Sequence, residues 1–276
     1  MCIHTKIFNQ YTIYYKQMSD SIDNNNIMTV DNLKNSIQSF DLIYSKAPTY
    51  FAELVNYFQH RLNGGGGTYS HIALCIKGDI FPDNTIFKQK DKEFKIDKTK
   101  MYLFESDRRT QGIGPNIFDE HYDGVQLREF DVTIENCVKH KHLCTRVGYA
   151  KMNNEYRQKV NDYFSIEENK IKFKNFVEDS LSFVYNGNTI HHINIIYHDY
   201  KIVQYLKYIN DSVFGTPKAI VCSELIGIVL IHTEIIENVI NVKTLLPEDF
   251  LPKNDTETMD RTKQMPIMYC NVVEIN

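Results

Sequence analysis

Tyr69-Ser70-His71-Ile72-Ala73-Leu74-Cys75-Ile76 constrains this chain more than any other stretch. Ile72, Leu74 and Ile76 alternate with Ala73 and Cys75, so both faces of an extended segment are apolar. A strand of that kind belongs in the middle of a sheet that is covered on both sides. His71 opens it, and an imidazole beside such a run is costly to bury without a partner. Four glycines, Gly64 to Gly67, closely precede it, which places His71 near the strand's start, where side chains reach a cleft. The plainer alternative is a satisfied core histidine, the commoner fate of a lone His.

Other elements are legible around this strand. Phe40 to Tyr44 reads as a short strand, and Ala47 to Leu62 as a helix on the spacing of Phe51, Leu54, Val55, Phe58 and Leu62. Lys77 to Lys100 is charged and reads as a hairpin excursion, followed by a strand over Met101 to Ser106. Val125 to Phe130 alternates apolar and polar residues, which predicts a strand with one solvated face. Asn154 to about Val184 has a helical period. Ile220 to Ile236 reads as a buried helix that begins at or just before Cys222, and Ile267 to Ile275 as a closing strand. Residues 1 to about 38, with the polar run Ser19 to Asn26, read as a peripheral, flexible extension. One domain over 39–276 is expected, because no single-sign charged or Pro/Ser-rich tract divides the chain.

A thiol attacks only as thiolate, and a helix N-terminus or a nearby imidazolium lowers its pKa from about 8.5. Cys222 stands where that effect operates. Gly215-Thr216-Pro217 breaks the chain, and Cys222-Ser223-Glu224-Leu225 opens an apolar helix whose first-turn amides can also hold an oxyanion. The alternative is a small buried hydrophobe. Ser223 lacks the G-x-S-x-G elbow of a hydrolase serine and is set aside. His71 is the candidate base. The group that orients it is Glu105 at the end of an apolar strand, or Asp107 two residues on and on the same face. Gly64 to Gly67 is no phosphate loop, since no Gly-Lys-Ser/Thr follows. His191, His192 and His198 lack the spacing of a helical metal motif, and no metal or other cofactor is expected. His140 and His142 read as surface.

The net charge of -4, from 31 basic and 35 acidic residues, provides no basic footprint for nucleic acid. Six cysteines without paired C-x-x-C spacing fit neither a disulfide framework nor a zinc site. No signal peptide is visible. The most apolar window, Ala219 to Ile236, contains Glu224, His232 and Glu234 and falls short of a membrane span. A cytoplasmic, reducing location follows as the expectation.

Three groups of segments, Phe40 to Lys46, Tyr69 to Gly78 with Tyr102 to Asp107, and Val221 to Leu230 with Leu245 to Pro252, resemble the permuted NlpC-like branch of the papain-like superfamily. That branch includes bacterial YiiX-type proteins, a poxvirus virulence protein and, more distantly, the lecithin retinol acyltransferase group. In it the His strand comes first, an acidic or polar residue follows on the next strand, and Cys comes last on a helix. His71, Glu105 and Cys222 have that order. Phe40 stands where the family has Gly, Asp41 follows it with a role left open, and Leu246 to Asp249 matches a Pro-x-Asp turn. The resemblance implies an α+β, permuted papain-like core, an antiparallel sheet packed on the nucleophile helix, with a largely helical insertion over about 131–215. It implies Cys222 as nucleophile, His71 as base and Glu105 as orienting group, in a thiol hydrolase or acyltransferase acting on a peptide or a lipid-like amide or ester. A binding module that uses the same cleft without turnover is the alternative. The AT-rich style of the composition, with the poxvirus likeness, points to a viral source, which would place the protein in host cytoplasm or virion.

Overall fold

The computed structural model describes residues 27–48, 69–107, 114–185, 219–237, 242, 245, 247–250 and 266–276. The Ala47 to Leu62 helix from residue 49 onward, Gly64 to Gly67, His191, His192, His198 and Leu246 lie outside them.

The described chain runs β1 (Ile27–Met28), α1 (Val30–Ser36), β2 (Leu42–Lys46), β3 (His71–Lys77), β4 (Ile86–Gln89), β5 (Lys92–Lys95), β6 (Met101–Asp107) and β7 (Gly124–Glu129). It continues through α2 (Phe130–Lys139), β8 (Arg146–Ala150), α3 (Asn154–Phe164), α4 (Glu167–Ser180), β9 (Val184–Tyr185), β10 (Ala219–Ile220), α5 (Cys222–His232) and β11 (Val273–Ile275). Among the described residues, nine strands form one sheet in the order β1-β11-β8-β2-β3-β6-β7-β9-β10, and β4 and β5 pair as a separate hairpin. Of these strand pairs, β1 with β11 and β9 with β10 run parallel, and the others are antiparallel. The architecture is therefore α+β, with an antiparallel-rich sheet and helices on both sides.

Strand β3 sits centrally between β2 and β6, as its two apolar faces require. Ile72, Leu74 and Ile76 join Tyr102, Phe104, Val125 and Leu127 in the larger core, against Leu225, Ile226, Val229 and Leu230 of α5. Ala73 and Cys75 join Ile43, Leu103 and Val147 in a smaller core on the other face, under Phe130, Ile134 and Cys137 of α2. Those three α2 residues recur at helical spacing, so one stripe of the helix meets the sheet.

Two segments differ from their reading as sequence. Residues 27–36 are built into the fold, with β1 paired to β11 and Leu33 fully buried. The stretch about 131–215, expected as a largely helical insertion, also supplies a strand to the sheet within its described part, 131–185. Its β8 pairs with both β2 and β11 inside the main sheet, and the Tyr149 side chain lies in the smaller core. Val147-Gly148-Tyr149-Ala150 is too short for its period to announce a strand.

Asp41 proves to be an anchor for the framework. Tyr149 Oη donates to its Oδ2 at 2.9 Å, the amides of Gln38 and Met152 each donate at 2.9 Å, and Arg157 of α3 pairs with Oδ1. Phe40 beside it adopts φ 68°, in the left-handed region that glycine favours. The conformation is held by its amide on the Cys75 carbonyl at 2.7 Å and by its ring against Phe164 and Phe173. Among the described residues, no helix is long and apolar enough to cross a membrane.

Candidate active site

The site is built at the end of the sheet where β3 begins and β6 finishes. Alternation turns His71 to the α2 face with Ala73, and it turns Glu105 and Asp107 to the same face with Leu103. His71 Nε2 donates to Glu105 Oε2 at 2.8 Å, and both side chains are almost fully buried. A nitrogen of His71 and carboxylate oxygens of Glu105 and Asp107 all lie within 4.8 Å of one another.

A second cation completes the pair. Arg128 of β7 is 0% exposed, and its Nε lies 2.8 Å from Glu105 Oε1, an ion pair by distance with the N–H aimed off the oxygen. Its terminal nitrogen donates to the Gly114 carbonyl, which ties the preceding loop to the site. Burial pushes the Glu105 pKa up. The hydrogen bond from His71 and the charges of His71 and Arg128 outweigh both burial and the repulsion of Asp107, so the carboxyl is held below its ordinary range. Glu105 is a carboxylate at neutral pH, and it fixes the imidazole as a donor at Nε2.

The alternation of Val125 to Phe130 predicts a strand with one solvated face, and the structure corrects this. Gln126 is 1% exposed and Arg128 fully buried, because α2 leaves β7 directly and folds back over that face. An alternating strand has the same pattern whether its polar side meets water or a helix. The signal for burial was the apolar stripe of Phe130, Ile134 and Cys137 in the next ten residues.

Cys222 is the first residue of α5, as the sequence predicts, and is a buried, free thiol. Val221 precedes it with no side chain to cap the helix. Ser106 Oγ donates to the Ile220 carbonyl at 2.7 Å, so the approach to Cys222 is pinned to the end of β6 between Glu105 and Asp107. Ser223, set aside as a nucleophile, donates to the Leu245 carbonyl at 2.6 Å, a structural contact. α5 passes close to Val242 and Leu245 at Gly227, where a Cβ would lie 2.6 Å from Leu245 Cδ1 and 2.9 Å from Val242 Cγ1, so those side chains would have to shift.

The three predicted residues thus meet only in part. His71 and Glu105 are in contact. Cys222 occupies the same end of the sheet but packs in the larger core, on the opposite face from the cavity lined by His71, Glu105, Ser45, Thr133 and Cys137. No hydrogen bond joins Cys222 to His71 among the described residues.

Neither the known family models nor the curated proteins contain a match to this chain.

Proposed function

We propose that the chain is a thiol-dependent acyl-transfer enzyme, a hydrolase or acyltransferase acting on an amide or ester, in a permuted papain-like frame. The observation that carries this reading is the buried His71–Glu105 pair, backed by Arg128, at the end of the sheet where the helix bearing Cys222 begins. A carboxylate that orients an imidazole is the part of a triad that side-chain packing must build in advance. In the reaction, the Cys222 thiolate attacks the carbonyl carbon and first-turn amides of α5 hold the oxyanion. The His71 imidazolium protonates the leaving amine or alcohol as the thioester forms, and the acceptor then releases the acyl group. The reaction needs His71 and Cys222 to meet around the strand end, because their side chains face opposite sides of the sheet at rest. Phe40 also supports the frame, since a left-handed backbone stands where the family has glycine.

A second reading is favoured by that separation: a binding module that keeps the Cys/His/Glu set without turnover. Acyl trapping distinguishes them. Native protein is mixed with p-nitrophenyl acyl esters, quenched in acid and weighed intact. The enzyme reading expects one acyl adduct per chain, mapped to Cys222 and absent from Cys222→Ser. No adduct, or one spread over several cysteines, leaves the binding module as the reading that stands.

A further inference from the structure

β2, β3, β6 and β7 all present polar side chains to the α2 face at one end of the sheet, and the pair described above uses only part of them. Glu105 and Asp107 are two buried carboxylates whose oxygens lie within 4.8 Å of each other, and Arg128 pairs with Glu105. Desolvated like charges at that separation repel, and a cation bound between them relieves the repulsion. His71 offers a ring nitrogen within the same 4.8 Å, and if that nitrogen is Nε2 its proton leaves when the ion binds.

Two other residues there, Ser45 and Gln126, carry buried polar atoms without partners among the described residues. Ser45 lies directly across from His71 in the β2–β3 register, lines the same cavity, and is 3% exposed with no partner for its hydroxyl. Gln126 lies across from Glu105 in the β6–β7 register, is 1% exposed, and has no partner for either its amide oxygen or its amide nitrogen. Buried polar groups left without partners each cost about 1–3 kcal/mol, so three such atoms around one anionic cluster point to something that binds there.

We propose that His71, Glu105 and Asp107 bind a divalent d-block ion of the zinc type, with Ser45 and Gln126 facing the water that completes its shell. One imidazole with two carboxylates suits zinc or cobalt better than calcium or magnesium, which take oxygen ligands. Donors bonded to one tetrahedral ion at about 2.0–2.2 Å lie roughly 3.3–3.6 Å apart, so these three, already within 4.8 Å of one another, would draw together on binding. Arg128 on the outer oxygen of Glu105 is the kind of outer contact that orients a ligating carboxylate. The site stands independently of the thiol reading. If His71 is also the base for Cys222, the ion takes its lone pair, and zinc is an inhibitor of that chemistry.

The test uses the full native chain, stripped by chelator and titrated with Zn²⁺ by calorimetry and with Co²⁺ by visible absorption. The expected result is one ion per chain, with cobalt d–d bands of a nitrogen/oxygen site and no thiolate-to-metal charge transfer. Asp107→Asn should weaken binding at least about 100-fold, beyond the roughly 10–100-fold typical of losing an outer contact. Thiolate charge transfer in the wild type, non-saturating binding, or an unchanged affinity in Asp107→Asn overturns the proposal. The wild-type spectrum decides the matter even if the variant does not fold. Acyl trapping in the presence of chelator separates failure of this site from failure of the thiol reading.

Discussion

Replacing Arg128 by methionine tests the account of how the His71–Glu105 pair is held. Methionine keeps most of the buried stem, so the change removes charge more than volume. Arg128 has 0% and Glu105 4% side-chain exposure, so no water takes over from the guanidinium. Removing one partner of a buried pair costs about 3–5 kcal/mol, because the remaining charge is stranded. At about 2–4 °C per kcal/mol for a chain of this size, Arg128→Met should melt about 6–20 °C below wild type. The pH dependence has a definite sign. Glu105 is held below its ordinary range in the folded protein, so its contribution is complete at neutral pH and is lost as pH falls through the folded value. Loss of Arg128 raises that folded value, and the acid limb of the stability curve begins at higher pH in the variant. Adding Glu105→Gln removes the stranded charge, so the double variant should be more stable than the sum of the singles by about 1–3 kcal/mol. Urea denaturation across pH measures all three quantities. A loss under about 1 kcal/mol for Arg128→Met, or strict additivity in the double variant, would refute the buried ion pair.

Two further predictions concern the frame. Asp41→Ala leaves Arg157, two backbone amides and the Tyr149 hydroxyl without their shared acceptor, and should cost about 3–5 kcal/mol in urea denaturation; a loss below 1 kcal/mol contradicts the anchor. Phe40→Ala and Phe40→Gly both remove a buried ring, but the left-handed backbone should make the glycine variant the more stable of the two by about 1 kcal/mol. The ordinary order, alanine above glycine, would show that the backbone does not hold this conformation.

What could be read from residues alone follows the physics of each segment. β3 announces itself because a doubly apolar strand has few other homes, and α5 because its run from Cys222 is apolar on every side. The His71–Glu105 contact was half legible, since strand ends and alternation put Glu105 and Asp107 on one face without deciding between them. Arg128, Ser45 and Gln126 were not legible. Their burial depends on α2 and on neighbouring strands distant in sequence, and a polar residue looks the same beneath a helix as in water. β8 was hidden by its length and by Gly148, which only the close approach of Tyr69 and Val272 explains. The placement of Cys222 on the opposite face from His71 is likewise a matter of which side α5 packs on, and chain order cannot supply that.

The central claim is that Cys222 is a thiolate nucleophile governed by His71. The most direct measurement is the rate of iodoacetamide alkylation of each of the six cysteines in the native protein, across pH, by peptide mapping. Ranked by exposure among the five described cysteines, Cys270 should react first, for it lies at the surface while Cys222 is buried. The account predicts instead that Cys222 reacts fastest, with an apparent pKa well below about 8.5, and loses that advantage in His71→Ala. A Cys222 that is inert in the folded protein, or reacts identically without His71, contradicts it.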